Sequence, residues 1–196
     1  MKKKTRSQAL KAPTKKRKSR YTDSSLTYSC LSWTELEPIL PMEDFNLKAS
    51  AVPENVVNEL RDRLVLVRLY IEAVSFMLGD VTILVEESVN GKHVHVRSRF
   101  DFVLKRGRKR ICIVEAKRDD IPQGIAQNVT GLEALSDVEG LEQTFGIVTN
   151  YIEWVYISDD DEKTRWRNGT LQTYGSVPTI KSLSNIVGMV HTLLVN

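Results

Sequence analysis

No apolar run in this 196-residue sequence approaches the roughly 18 residues that span a bilayer, so no membrane helix is expected. The first residues also lack the apolar segment of a secretory signal, and nothing points to export by that route. Cysteine is scarce: Cys30 and Cys112 lie far apart and fit no zinc-ligand spacing. Cys112 falls inside an apolar run, where a buried thiol is expected, and both observations suit a reducing compartment. Acids are missing altogether from residues 1–20, which carry ten Lys or Arg. The other 176 residues hold 18 basic and 25 acidic side chains, a net of −7 inside a chain whose total is +3. A uniformly basic nucleic-acid-binding domain is thereby excluded, and phosphate contact by the body requires a local patch.

What is present fits a single folded domain with a tail. Hydrophobic residues make up 41% and charged residues 27%, as in soluble globular chains large enough to bury a core. Residues 1–29 are basic, rich in Ser and Thr, and too poor in apolar groups to repay the entropy of folding, so a disordered tail is expected. Within it "PTKKRKSR", Pro13 to Arg20, has the pattern of a nuclear-import signal, which implies an import receptor as partner and the nucleus as location. The competing reading is a solvated tail that adheres to nucleic acid. Residues 30–52, interrupted by Pro38 and Pro41, read as an irregular arm, and residues 53–196 as the domain.

Inside the domain, Val56, Leu60, Leu64, Val67, Ile71 and Val74 form a helical stripe from Pro53 to Leu78, with Gly79 as the stop. "VTILVEE" and "KHVHVRS" flank Asn90-Gly91 as one hairpin, and "FDFVL" and "RICIVEA" flank Gly107 as a second. Asp120 is placed to cap a helix with Ile125, Val129, Leu132 and Leu135 on one side. "TFGIVTN" and "EWVYISD" read as strands, "TLQTYG" as a weaker one, and "IKSLSNIVGMVHTLLV" as a closing helix. The expected class is α/β: a mixed α+β sheet flanked by helices.

Three ionisable residues, Asp101, Glu115 and Lys117, interrupt apolar strand-like runs. Such groups are seldom buried unless paired or bound to metal, so they lie on a solvated face or are held for chemistry. Strand alternation puts Ile111, Ile113, Glu115 and Lys117 on one face. A three-residue connection, Gly107-Arg108-Lys109, sets Asp101 opposite Glu115; a two-residue turn sets it opposite Val114. Facing carboxylates repel, and a divalent cation between them removes the conflict. Mg²⁺, or Mn²⁺ in its place, suits such a site because it takes oxygen ligands and keeps waters, one of which can be activated for attack at phosphorus. Lys117 is placed to hold that water or neutralise the phosphate. From Arg97 to Arg118 there are nine cations against two acids. Arg99, Lys105, Arg106, Arg108, Lys109, Arg110 and Arg118 are accordingly expected to bind the phosphates of DNA, or of RNA.

"RFDFVL" and "ICIVEAK", followed by "GIAQN" on a helix, resemble the PD-(D/E)XK nuclease superfamily, with its restriction-endonuclease-like core. The nearest likeness is to the nuclease-like domain of Crinkler-type eukaryotic proteins, over roughly Asn55 to Ile157. Phe100 stands where the superfamily's eponymous proline would be. The resemblance implies that Asp101 and Glu115 are metal-binding acids, and that Lys117 is the catalytic lysine. It adds Glu59, on the helix before the sheet, to the metal or water shell, and Gln127, on the helix after it, to orient Lys117 or a phosphate. Gly124 and Gly131 flank Gln127 and allow that helix a close approach. The function implied is a Mg²⁺-dependent nuclease hydrolysing DNA through metal-activated water. The alternative is a module of the same fold that binds nucleic acid or a nuclear protein without cleaving. Elsewhere, His93 and His95 read as surface residues, His191 as partly buried and "SDDDEK" as a solvated turn. Trp154, Trp166 and Tyr174 read as core or edge packing.

Overall fold

The computed structural model describes residues 26–27, 32–40, 42–44, 47–57, 67–91, 96–117, 119–160, 162–174 and 177–195. The basic run of residues 1–20 with its import pattern, Cys30, Glu59, His93, His95 and Arg118 lie outside the described residues.

Ten strands and four helices are described: β1 (Leu26–Thr27), α1 (Trp33–Leu36), β2 (Met42–Asp44), α2 (Val67–Leu78), β3 (Val81–Asn90), β4 (Val96–Arg106), β5 (Lys109–Ala116), α3 (Ile121–Glu139), β6 (Gln143–Thr149), β7 (Glu153–Asp160), β8 (Thr164–Thr170), β9 (Thr173–Tyr174), β10 (Val177–Pro178) and α4 (Ile180–Val195). Residues 54–57 are also helical, with the amides of Val56 and Val57 donating to the Pro53 carbonyl. The helix expected from Pro53 to Leu78 is therefore present at both described ends. Among the described residues no helix is long and apolar enough to cross a membrane.

Eight strands form one mixed sheet in the order β1-β4-β5-β6-β7-β8-β2, with β3 also paired to β4. The central β5–β6 pair is parallel and its β4–β5 and β6–β7 neighbours are antiparallel. A parallel step needs a crossover, and α3 supplies it. Alternation along the strands splits the core into two layers. Leu104, Cys112, Val114, Ile147, Trp154 and Tyr156 face α2 and α4, whereas Val103, Ile113, Val148, Val155 and Ile157 face α3. The α/β sheet with helical cover expected from the sequence is what forms. Cys112 is fully buried, and burial raises its thiol pKa far above the ordinary range.

Local differences have physical causes. "KHVHVRS" and "FDFVL" are not two strands: Val96–Arg106 is continuous, because the polar stretch around Arg99 keeps pairing with β3 (Ser88 with Arg99, Val89 with Ser98). The chain turns between β4 and β5 over two residues, not three: Arg106 pairs with Lys109 around Gly107, at φ 57. The register then shifts between Leu104 and Lys105, leaving Ile111 as an extra residue on β5, so that Leu104 pairs with Cys112 and Phe102 with Val114. This bulge restores the register that a three-residue turn would have given. Strand β8, "TRWRNGT", carries too many polar side chains to read as a strand, and it forms by pairing along the whole of β7. In "SDDDEK", Asp160 accepts from the amides of Glu162 and Lys163 as a turn residue, but Asp159 is buried in β7 and takes the Thr164 hydroxyl. Trp154 is core and Trp166 edge packing as expected; Tyr174, on the small β9–β10 hairpin outside the main sheet, is 89% exposed.

The cations of the β4–β5 hairpin brace the fold. Arg110 bonds Glu139 at 2.6 Å and Glu87 at 3.3 Å. Arg106 bonds Asp80 at 2.7 Å and the Leu194 carbonyl at 2.8 Å, and Lys109 reaches the Gly140 carbonyl at 3.4 Å. The last two contacts put positive charge on the carbonyl ends of α4 and α3, where it is favourable. Arg110 and Glu139 are only 18% and 16% exposed. Arg110→Ala is expected to cost about 1–3 kcal/mol in urea unfolding. Lys163→Ala, which breaks the exposed pair with Glu43, is expected to cost under about 0.5 kcal/mol.

Candidate active site

Asp101 sits where two ladders let go of β4. The β3–β4 ladder pairs Val85 with Phe102 and Glu87 with Phe100, passing over Asp101. Opposite it Glu86 is in the left-handed region, φ 51, a conformation that costs an L-residue roughly 1 kcal/mol. Arg99 holds that residue twice, through its carbonyl at 2.8 Å and its carboxylate at 3.0 Å. On the other edge the β4–β5 ladder stops at Phe102–Val114. One step further Asp101 is level with Glu115, and its Oδ2 accepts the Ala116 amide at 2.8 Å. A carboxylate thus replaces a backbone carbonyl at the end of the ladder. Side-chain alternation breaks here as well: Phe100 and Val103, three residues apart, both pack on the α3 side.

Glu115 is 3% exposed, on the last turn of pleat before β5 ends. Its pKa is raised to about 7, chiefly because burial disfavours the ionised form. The hydrogen bond and charge of Lys117 act against that rise, and the charge of Asp101 adds to it. Lys117 Nζ lies 2.9 Å from Glu115 Oε2, while its backbone amide donates to the Thr149 carbonyl at 2.7 Å. The lysine stem lies against α3. A Cβ built on Gly124 would come within 2.7 Å of Lys117 Cγ and 2.6 Å of Val148 Cγ1, so only glycine fits this slot. Gly131, two turns on, lies equally close to Phe100 and Ile113.

The start of α3 is fixed by Asp120, which accepts the Gln123 amide at 2.9 Å, as expected of a cap. Between the two glycines, Asn128 donates to the carbonyls of Ile113 and Ile147 and so ties the helix to β5 and β6. The sequence reading missed this clamp; a polar residue flanked by buried apolar ones on a helix face was its only signal. Gln127 lies beside Asn128 on the same buried stretch of α3. It is 6% exposed, and its side-chain amide makes no hydrogen bond among the described residues.

The structure therefore brings together Asp101, Glu115 and Lys117, and Gln127 is buried on α3, the helix against which the Lys117 stem lies. It does not bring the hairpin cations to them. Arg110 is five residues along β5 from Glu115, roughly 17 Å away, and Lys105, Arg106, Arg108 and Lys109 are at that same far end. Among the described residues no three His, Cys, Asp or Glu side chains cluster as a metal site. The pair present nonetheless suits a hard cation. Each acid has one bonded oxygen, Asp101 Oδ2 and Glu115 Oε2, and the other is without a hydrogen-bond partner among the described residues. Two such oxygens, with water completing the shell, are the donor set that Mg²⁺ takes.

No family model matches the sequence, and no solved structure matches it. The chain is similar to Crinkler effector protein 5 of Phytophthora infestans, at 42% identity over 116 residues. The match takes in 59% of this chain and 33% of that protein, so the chain spans about a third of the length of the curated relative it matches. The likeness to Crinkler-type proteins expected from the sequence is thus supported.

Two measurements test this geometry. The folded-state pKa of Glu115 lies above its ordinary value of 4.5, so the native state binds the extra proton between these values. Its contribution to stability is full below about pH 4.5 and is lost as pH climbs through about 7, on the order of 3 kcal/mol. Glu115→Gln should remove that decline, seen as a urea midpoint that falls less between pH 5 and pH 8 than in the parent. Gly124→Ala should lower stability by about 1–3 kcal/mol, and the loss should shrink when Val148→Ala makes room on one side of the added methyl.

Proposed function

We propose that the chain is a Mg²⁺-dependent phosphodiesterase acting on DNA, with a core of the restriction-endonuclease-like kind. The observation that carries this reading is the release of Asp101 from both ladders beside a buried Glu115 already bonded to Lys117. A fold gains nothing in stability by desolvating one carboxylate and setting a second charge against it. Such arrangements are typical of sites that do chemistry.

Asp101 and Glu115 would hold the ion through Oδ1 and Oε1. Bound Mg²⁺ would supply charge neutralisation at phosphorus and a lowered pKa for coordinated water. The rest falls to the chain. Ala116 fixes the Asp101 carboxylate through its amide, so the ligand is oriented before any ion arrives. Lys117, its stem confined by Gly124, would set its ammonium group against the negative charge that builds on the phosphoryl oxygens. Gln127, whose side-chain amide has no hydrogen-bond partner among the described residues, would orient the lysine or a phosphate oxygen. Glu59, outside the described residues, is proposed as a third member of the metal or water shell. The similarity to a Crinkler effector protein agrees with a nuclease-like domain and names no reaction.

Supercoiled plasmid incubated with Mg²⁺ should be nicked, and EDTA should stop the reaction. Asp101→Ala, Glu115→Ala and Lys117→Ala should each lower the rate at least 100-fold while the circular dichroism spectrum of the folded chain is retained. Plasmid left intact by the parent, with salt-sensitive binding indifferent to Mg²⁺, would establish the non-cleaving module instead. Calorimetric titration with Mn²⁺ gives a readout free of turnover. Proton and metal compete for Glu115, so affinity should fall about tenfold per pH unit below pH 7 and vary little above it.

A further inference from the structure

Seven large apolar side chains are exposed among the described residues, and four of them, Ile152, Tyr174, Val177 and Ile180, stand at one end of the main sheet. Topology fixes which end. Strands β5 and β6 run in parallel and finish side by side, Ala116 beside Thr149, and the Lys117 amide carries that ladder one step further to the Thr149 carbonyl. The β6–β7 turn that follows holds Ile152, whose carbonyl accepts the Leu171 amide at 2.7 Å. Strand β8 finishes at this end too, Thr170 opposite Glu153, and the chain then leaves the sheet as the β9–β10 hairpin. The exposed strip thus begins at the turn next to Lys117 and ends on the first turn of α4. From β5 to β8 is three strand spacings, about 14 Å.

Tyr174 and Val177 face each other across the hairpin, and with Pro178, Thr179 and Ile180 they line an open cleft of about 430 Å³. Apolar surface gathered in this way marks a place where something binds. Charge indicates what. In residues 150–153, 170–174 and 177–181 there is one acid, Glu153, and one cation, Lys181. A net charge of zero gives a phosphate chain no attraction there, so the outer surface of a duplex is a poor occupant. Unpaired bases are a good one, being uncharged, flat and able to stack on an aromatic ring. If a phosphate sits at Asp101, Glu115 and Lys117, the 14 Å to β8 corresponds to about four nucleotides at a 3.4 Å rise.

We propose that Ile152, Tyr174, Val177 and Ile180 form a platform for unpaired bases of DNA, so that the chain takes a single strand, or a duplex with a single-stranded extension, in preference to blunt duplex. The proposal rests on the phosphodiesterase reading for where the scissile phosphate lies, whereas the binding itself needs no turnover. Tyr174 supplies the ring on which a base stacks, and the three aliphatic side chains cover apolar surface of its neighbours. Every base has a π-face, so the platform selects for strandedness and is tolerant of sequence.

The test uses the full chain in EDTA, so that binding is read without turnover. Fluorescein-labelled oligothymidylate of twelve nucleotides and a blunt duplex of twelve base pairs serve as probes, read by anisotropy. The parent should bind the single strand more tightly than the duplex. Tyr174→Ala should weaken single-strand binding about fivefold or more, the loss of one base stack, and leave duplex binding unchanged. Tyr174→Phe, which keeps the ring, should retain the parent's affinity for both. Phe76 is a comparably exposed aromatic, at 85%, on α2, which leads into β3 at the opposite end of the sheet, where Val81 pairs with Arg106. Phe76→Ala should change neither affinity. Unchanged single-strand affinity in Tyr174→Ala, or an equal loss on both probes, would overturn the proposal. So would a parent dimer that Tyr174→Ala converts to monomer in sedimentation while single-strand affinity is kept, which would assign the patch to a second copy. A parent that shows the expected binding pattern, yet leaves DNA intact with Mg²⁺, supports the platform and defeats only the phosphodiesterase reading.

Discussion

A carboxylate taken out of water is the constraint around which this molecule is arranged. Glu115 follows the apolar run Ile111 to Val114 near the end of a central strand, and the fold supplies it with one cation and one neighbouring anion. Without the ammonium of Lys117 its ionised form would be harder still to sustain; with Asp101 alongside, the pair is left short of positive charge. Several features that look unrelated serve this arrangement. The left-handed backbone of Glu86, the double grip of Arg99 on it and the early end of the β4–β5 ladder all free Asp101 from regular pairing. The missing side chain at Gly124 leaves the lysine stem its place.

Much of the architecture could be read from periodicity alone. The helical stripe ending at Leu78, the apolar runs of β5, β6 and β7, and the Asp120 cap all rest on local rules that tertiary packing did not override. What escaped was decided by pairing. Strand β8 is polar on its own and becomes a strand because β7 offers it an edge. Arg99 lies in a stretch that reads as a break and is held straight by β3. The turn at Gly107 takes two residues, the alternative that by itself sets Asp101 opposite Val114, and the bulge at Ile111 brings Asp101 back level with Glu115. No rule local to the sequence announces such a bulge, because it is set by how both flanking apolar faces pack.

The candidate site was readable to a similar depth. Asp101, Glu115 and Lys117 stood out as charges in apolar runs, and the structure gathers them. The cation-rich flanks carry an intramolecular role that the sequence did not announce, for an electrostatic reason: a lysine or arginine count does not reveal which acids or helix ends a folded chain will set against it. Arg106, Lys109 and Arg110 answer Asp80, Glu139 and the carbonyl ends of α3 and α4. Likeness to a Crinkler effector protein of Phytophthora infestans covers a third of that protein, and the chemistry argued above stands on this chain's own residues.

The central claim is that two acids on neighbouring strands share one hard cation. A crystal soaked in Mn²⁺ and measured at the manganese absorption edge tests it most directly. The arrangement of Asp101 and Glu115 predicts one anomalous peak within ligand distance of Asp101 Oδ1 and Glu115 Oε1, absent from crystals of Glu115→Gln. A peak bound to neither carboxylate, or no peak at a Mn²⁺ concentration that fills other sites, would contradict it.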